Sequence, residues 1–179
     1  MAVPGGIAVP LCLFLFTPQR APASGPAPGD VVINEILANP QSLPAEAVEL
    51  YNTTAAAIDL SGYWVDDIAG GGGAPRAIPA GTVLPPGGHY VLTTTSFLNN
   101  GGDDVRLLTP DQATLLDSTT YASAAPDVTW CRQPDGGTWY SLECAPSLGA
   151  TNGGGTPSWT PGTFEVHFFD VEQAHSHLF

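Results

Sequence analysis

"EAVELYNTTAAAIDLSGYWVDD", residues 46–67, is the stretch on which the fold turns. It opens in alternation: Val48, Leu50 and Asn52 fall on one side of an extended chain, Glu49 and Tyr51 on the other. A period of two marks a half-buried strand, because successive side chains point to opposite faces of a sheet. Ser61-Gly62 then breaks the run, and Asp59 is positioned to accept backbone amides in that turn. Residues 63–66 begin a second short strand.

The same grammar extends in both directions. Upstream, "VVINEIL" (Val31–Leu37) sets Val31, Ile33 and Glu35 against Val32, Asn34 and Ile36. Downstream come a glycine-rich tip at residues 70–73 and the corner Pro85-Pro86-Gly87-Gly88 before a strand at residues 89–94. "DDVRLLT", "ATLLDSTTY", "VTWCRQ" and "GTWYSLE" follow at intervals of about ten residues. No segment has a useful helical period, and 21 glycines with 18 prolines suit short strands joined by many turns. This pattern predicts a β-sandwich. "GATNGGGTPSWTPG" (residues 149–162) is a linker by composition, which ends the domain near Asn152.

The 179 residues suffice for one domain with a substantial core. Only 12% of them are charged. Seventeen acids face four arginines, Arg20, Arg76, Arg106 and Arg132, and there is no lysine. A net charge of −13 repels phosphate backbones and argues against direct nucleic-acid binding. The scattered acids read as a solvated surface, with a cation-binding face as the alternative.

"GIAVPLCLFLF" (residues 6–16) has the length of a signal-peptide core and is too short to span a bilayer, which takes ~20 residues. Ala21-Pro22-Ala23 has the spacing of a cleavage site, cutting between Ala23 and Ser24. Against this stand an uncharged start, "MAVPGG", and Pro10 within the apolar run. The reading is a secreted or cell-envelope protein with no transmembrane segment in the mature chain. Cys12 would leave with the leader, and Val9-Pro10-Leu11 lacks the small residues that precede a lipidated cysteine. Cys131 and Cys144 remain, bracketing the turn Pro134-Asp135-Gly136-Gly137. A hairpin there would bring them within disulfide reach; two separate buried thiols are the alternative. No second pair or nearby histidine completes a zinc site.

The body resembles the lamin-tail domain, an immunoglobulin-like β-sandwich found in nuclear lamins and in exported bacterial proteins. "VVINEILANP" carries an N-E pair at Asn34-Glu35. Glu46, Glu49, Leu50, Asn52, Asp59, Leu60, Ser61 and Gly62 follow the next block, with Tyr63-Trp64 near its aromatic. "IPAGTVLPPGGHYVL", "NNGGDDVRLLTPDQATLLDSTTY" and "PSLGATN" complete the order, so the resemblance spans residues 29–152. Gly62, Gly81 and Gly87-Gly88 would supply turn geometry. Glu35 or Glu49, if turned inward, would need a partner: Arg106, Tyr51 or backbone amides. A structural role is favoured over a catalytic carboxylate pair, since no histidine or nucleophile accompanies them.

Weaker signals remain. Asp66-Asp67 and Asp103-Asp104 lie near glycines but lack the spaced ligands of a calcium loop. Asn52-Thr53-Thr54 matches a glycosylation acceptor. Trp64, Tyr121, Trp130, Trp139 and Tyr140 either line a sugar-binding face or belong to the core. The tip at residues 70–73 lacks the lysine of a phosphate loop. "FEVHFFDVEQAHSHLF" (residues 164–179) resembles the opening strand of a competence-type metallo-β-lactamase-fold domain, through Val166, His167, Phe168, Phe169, Asp170, Val171 and Gln173. Glu172 and Ala174-His175 depart from that pattern, and His175-Ser176-His177 reproduces only part of its H-x-H-x-D-H zinc motif.

The expected layout is a signal peptide at 1–23, a linker at 24–29, a lamin-tail sandwich at 30–152, a second linker at 153–163 and a truncated first strand at 164–179. The expected function is an exported, non-catalytic binding or spacer module with no cofactor and no metal. Its ligand would be a protein or a surface glycan, and its apolar tail would favour self-association. The alternatives are the N-terminal part of a secreted metallo-hydrolase whose catalytic domain is missing, and a carbohydrate or surface adhesion module.

Overall fold

The structure is a computed structural model that describes residues 25–139 and 143–153. Among these residues there is no helix. The strands are β1 (Val31–Leu37), β2 (Glu46–Asn52), β3 (Ile58–Asp59), β4 (Trp64–Asp66), β5 (Arg76–Ala77), β6 (Val83–Leu84), β7 (His89–Thr94), β8 (Asp103–Leu108), β9 (Leu115–Tyr121), β10 (Trp130–Gln133) and β11 (Thr138–Trp139). One sheet runs β11-β10-β1-β2-β7, a second β5-β4-β8-β9, and β3 with β6 forms a two-stranded corner. Every strand pairing is antiparallel. The fold is all-β, an immunoglobulin-like sandwich.

The strands at 31–37 and 89–94 have the bounds expected from the sequence. The pairs β3–β6 and β4–β5 have too few residues to leave a period. Val31, Ile33, Ile36, Val48 and Leu50 of the first sheet meet Val65, Val105, Leu107, Leu116 and Tyr121 of the second, with Leu60, Ile78, Leu84 and Phe97 sealing the ends. Burying each such side chain is worth about 1.5–3 kcal/mol, which makes this layer the main source of stability.

One register shift reorganises β1. Ile33 pairs with Leu50 and Glu35 with Glu49, so Asn34 is the extra residue of a β-bulge. The alternation expected from the sequence put Glu35 with Val31 and Ile33. The bulge sends Asn34 and Glu35 together to the outer face and returns Ile36 to the core. Beside the bulge, the Ile33 amide donates to Asp117 at 2.7 Å, and the Ile33 carbonyl accepts from Arg132 Nε at 2.8 Å. Arg132 and Asp117 form an ion pair at 3.2 Å that ties β10 to β9.

The turns follow their residues. Ser61 N–H donates to Asp59 at 2.9 Å, and Gly62 has φ 76°, where a side chain would be strained. Gly88 is needed for space instead: a Cβ there would meet the Pro85 ring at 2.7 Å.

Candidate functional site

Two places hold the polar chemistry. The first is the outer face of the five-stranded sheet, under residues 143–153. Glu35 accepts from the Thr129 hydroxyl at 2.6 Å, the Ser147 amide at 2.9 Å and the Ser147 hydroxyl at 3.1 Å. Glu49 accepts from Asn34 Nδ2 at 2.9 Å and from the Gly149 amide. Asp135 accepts from Asn34 Nδ2 at 3.0 Å and the Asn152 amide at 2.9 Å, and pairs with His89 at 3.1 Å. Asn34 closes the network: its side-chain oxygen accepts from the Gly136 amide, and its carbonyl from Asn152 Nδ2, both at 3.0 Å.

Residues 143–153 therefore form a cover whose amides replace water. Its start is anchored twice. Cys144 exchanges two backbone bonds with Thr129, and its sulfur is bonded to Cys131, with 6.1 Å between the Cα atoms. Cys131 sits in register with Glu35, so the bridge lies on the same outer face. The turn at residues 134–137 forms the hairpin β10–β11, as its composition implied.

Burial pushes both glutamate carboxyls above their ordinary value of 4.5. Hydrogen bonds from Thr129 and Ser147 oppose this at Glu35, and those from Asn34 and Gly149, with the His89 charge, oppose it at Glu49. Asp135 goes the other way: burial raises it, but bonds from Asn34, Asn152 and His89 together outweigh burial and hold it low. Glu35 and Glu49 have no exposed surface. Closed off from solvent, both carboxyls meet hydrogen-bond donors supplied by the chain itself. Of the partners expected from the sequence, backbone amides serve. Arg106 instead pairs with Asp66 at 2.7 Å, and Tyr51 packs its ring on His89 at 5.0 Å between centroids.

The other acidic pairs are engaged within the chain. Asp67 accepts from the Gly73 amide at 2.6 Å through one oxygen, while its other oxygen is buried with no hydrogen-bond partner among the described residues; Asp103 accepts from Asn99, and Asp104 from the Thr120 hydroxyl at 2.6 Å. Among the described residues no three His, Cys, Asp or Glu side chains gather as a metal site. Asn52, the glycosylation-pattern asparagine, is fully buried and spends its amide on the carbonyls of Ala56, Leu84 and Pro85.

The second place is a cleft of roughly 580 Å³ between β5 and β7, the neighbouring edges of the two sheets. Trp64, Pro75, Arg76, Leu92, Thr93 and Thr95 line it. The Trp64 indole N–H donates to the Pro110 carbonyl at 3.2 Å, which fixes the ring. Tyr121 is buried, and Trp130 and Trp139 pack on the core. Trp64 is thus the described tryptophan left to a cleft. No pattern in the sequence marks it, because the lining comes from strands that meet only through sheet topology.

The leader expected at 1–23, Ser24, Tyr140, the expected linker from residue 154 onward and the stretch 164–179 with His175 and His177 lie outside the described residues.

Residues 24–123 match the model of a family described as Lamin Tail Domain. No curated protein and no solved structure matches the chain.

Proposed function

The chain belongs to the lamin tail domain family, and from that premise we propose that it acts as an exported, non-catalytic binding and spacer module whose ligand sits in the cleft between β5 and β7. The family fits a non-catalytic immunoglobulin-like module. The observation that carries the reading is the cleft itself: Trp64, Arg76, Leu92, Thr93 and Thr95 line a recess between two sheet edges, and ligands are held where a few polar groups border an apolar wall. The other polar cluster is sealed under residues 143–153 and offers a partner nothing to touch. The Cys131–Cys144 disulfide supports export, since such bonds persist in oxidising compartments.

The test has two arms. Expression of the full chain should give a product whose N-terminus is Ser24, recovered outside the cytoplasm; an intact leader on cytoplasmic protein would refute export. A glycan and surface-protein panel probed with wild type and Trp64→Ala should lose its hits in the variant. Hits that survive the substitution would put the ligand elsewhere.

A further inference from the structure

Three arginines lie among the described residues, and two are neutralised: Arg106 by Asp66 at 2.7 Å and Arg132 by Asp117 at 3.2 Å. Arg76 has no carboxylate partner and no hydrogen bond among the described residues. It is nevertheless held, its guanidinium carbon 5.1 Å from the centroid of the buried Phe97 ring. Arg132 stacks on Trp139 at the same 5.1 Å but also donates to the Gly137 carbonyl and to Asp117. They differ in the use of their donors. Arg132 has spent its donors, whereas Arg76 carries a planar fork of five donors uncommitted at a cleft. A chain of net charge −13 leaves few cations unpaired without use.

Beside Arg76, Thr93 and Thr95 are exposed, and their hydroxyls make no hydrogen bond among the described residues. Hydroxyls both donate and accept, which suits a polyol. Trp64 lines the same cleft, and an indole supplies apolar surface of the kind a sugar ring packs on.

We propose that this cleft binds a carboxylated sugar of the uronic-acid class. Arg76 takes the carboxylate through two parallel N–H···O bonds, Trp64 packs on the sugar ring, and Thr93 and Thr95 meet its hydroxyls. A single carboxylate is matched by a single cation. A densely charged polyanion is opposed by the rest of the surface. The inference rests on the cleft being the binding site and adds the chemistry of what it binds.

The experiment is isothermal titration of the full-length chain with methyl galacturonoside, which carries one carboxylate, its methyl ester and a hexapeptide rich in glutamate. Wild type should bind the acid at least tenfold more tightly than the ester, which keeps the ring and removes the charge. Arg76→Gln should erase that preference, Arg76→Lys should keep part of it, and Trp64→Ala should weaken both sugars. Thermal melts of each variant check folding, and Arg76→Lys serves if Arg76→Gln melts early. Equal binding of acid and ester, with both lost in Trp64→Ala, keeps the cleft and overturns the carboxylate inference. Preference for the acid that survives Arg76→Gln overturns it too, as does binding of the peptide in place of the sugar. Failure of both sugars to bind wild type refutes the cleft and its ligand together.

Discussion

The inner and outer faces of the five-stranded sheet both exclude water, but by different chemistry. The inner face does it with Val31, Ile33, Ile36, Val48 and Leu50 against the second sheet. The outer face carries two buried carboxyls and does it with the amides of residues 143–153. Apolar packing is non-directional and tolerates small shifts. The outer face depends on hydrogen bonds of fixed geometry, so each group there must find its partner or cost the fold its desolvation. The inner face should therefore dominate stability, and the outer face should dominate how stability responds to redox state and pH.

The largest break in this comparison is Leu50→Ala, which should cost about 3–4 kcal/mol in urea unfolding, in the range for a buried leucine. A cost under 1 kcal/mol would mean the inner layer is not the main support. Next is the disulfide. Its cysteines are 13 residues apart, and opening it by Cys144→Ser should cost about 2–3 kcal/mol. The loss should be local to the cover: amide exchange at Ser147 and Gly149 should accelerate more than at Val48 and Leu50. Uniform acceleration would show that the cover is not a separate unit.

The two glutamates sharpen the picture further. Both Glu49 oxygens face N–H donors, from Asn34 and Gly149. A glutamine there must turn an NH₂ toward a donor, so Glu49→Gln should cost roughly 1–2 kcal/mol. One Glu35 oxygen faces the Ser147 hydroxyl, which can accept, so Glu35→Gln should cost under about 1 kcal/mol. Equal costs would contradict the assigned hydrogen bonds.

The gentlest test is pH. Glu35 and Glu49 have raised folded values, so the folded state holds their protons more tightly than the unfolded chain. Their contribution is full below the ordinary 4.5 and is lost as pH rises through the folded values. Asp59, Asp111, Asp127 and Asp135 are held below 3.8, so theirs is present above that value and lost as pH falls. Stability should peak in mildly acidic solution, and the Glu35→Gln/Glu49→Gln double variant should flatten the alkaline side alone. An unchanged alkaline slope would show that other groups set it.

Much of this architecture is written locally. Strands β1 and β7 follow from period-two runs ended by Gly, Pro or Asn, and the β10–β11 hairpin from Pro134-Asp135-Gly136-Gly137. The disulfide followed from that hairpin. The bulge did not, because nothing in "VVINEIL" distinguishes an inserted residue from a continuing strand, and one unseen residue moved Glu35 to the opposite face. Its partners were equally hidden: Thr129 and Ser147 lie 94 and 112 positions away. The block "PSLGATN" was legible as a pattern, but its work of capping Glu35 and Glu49 through Ser147 and Gly149 exists only once the sheet has formed. The cleft was harder still, since Trp64, Arg76 and Thr93 share no periodicity.

The bridge between Cys131 and Cys144 has a mechanical side. If the module is a spacer, tension reaches it through the backbone at Gly153. Residues 145–153 can peel from the outer face, but the sulfur bond then passes the load directly to β10, in the interior of the sheet. The 13-residue separation between the cysteines is withheld from extension, about 45 Å of contour at ~3.5 Å per residue. Pulled in an oxidising medium the module should lengthen in a short first step and then stiffen. Pulled after reduction it should release that hidden length as well.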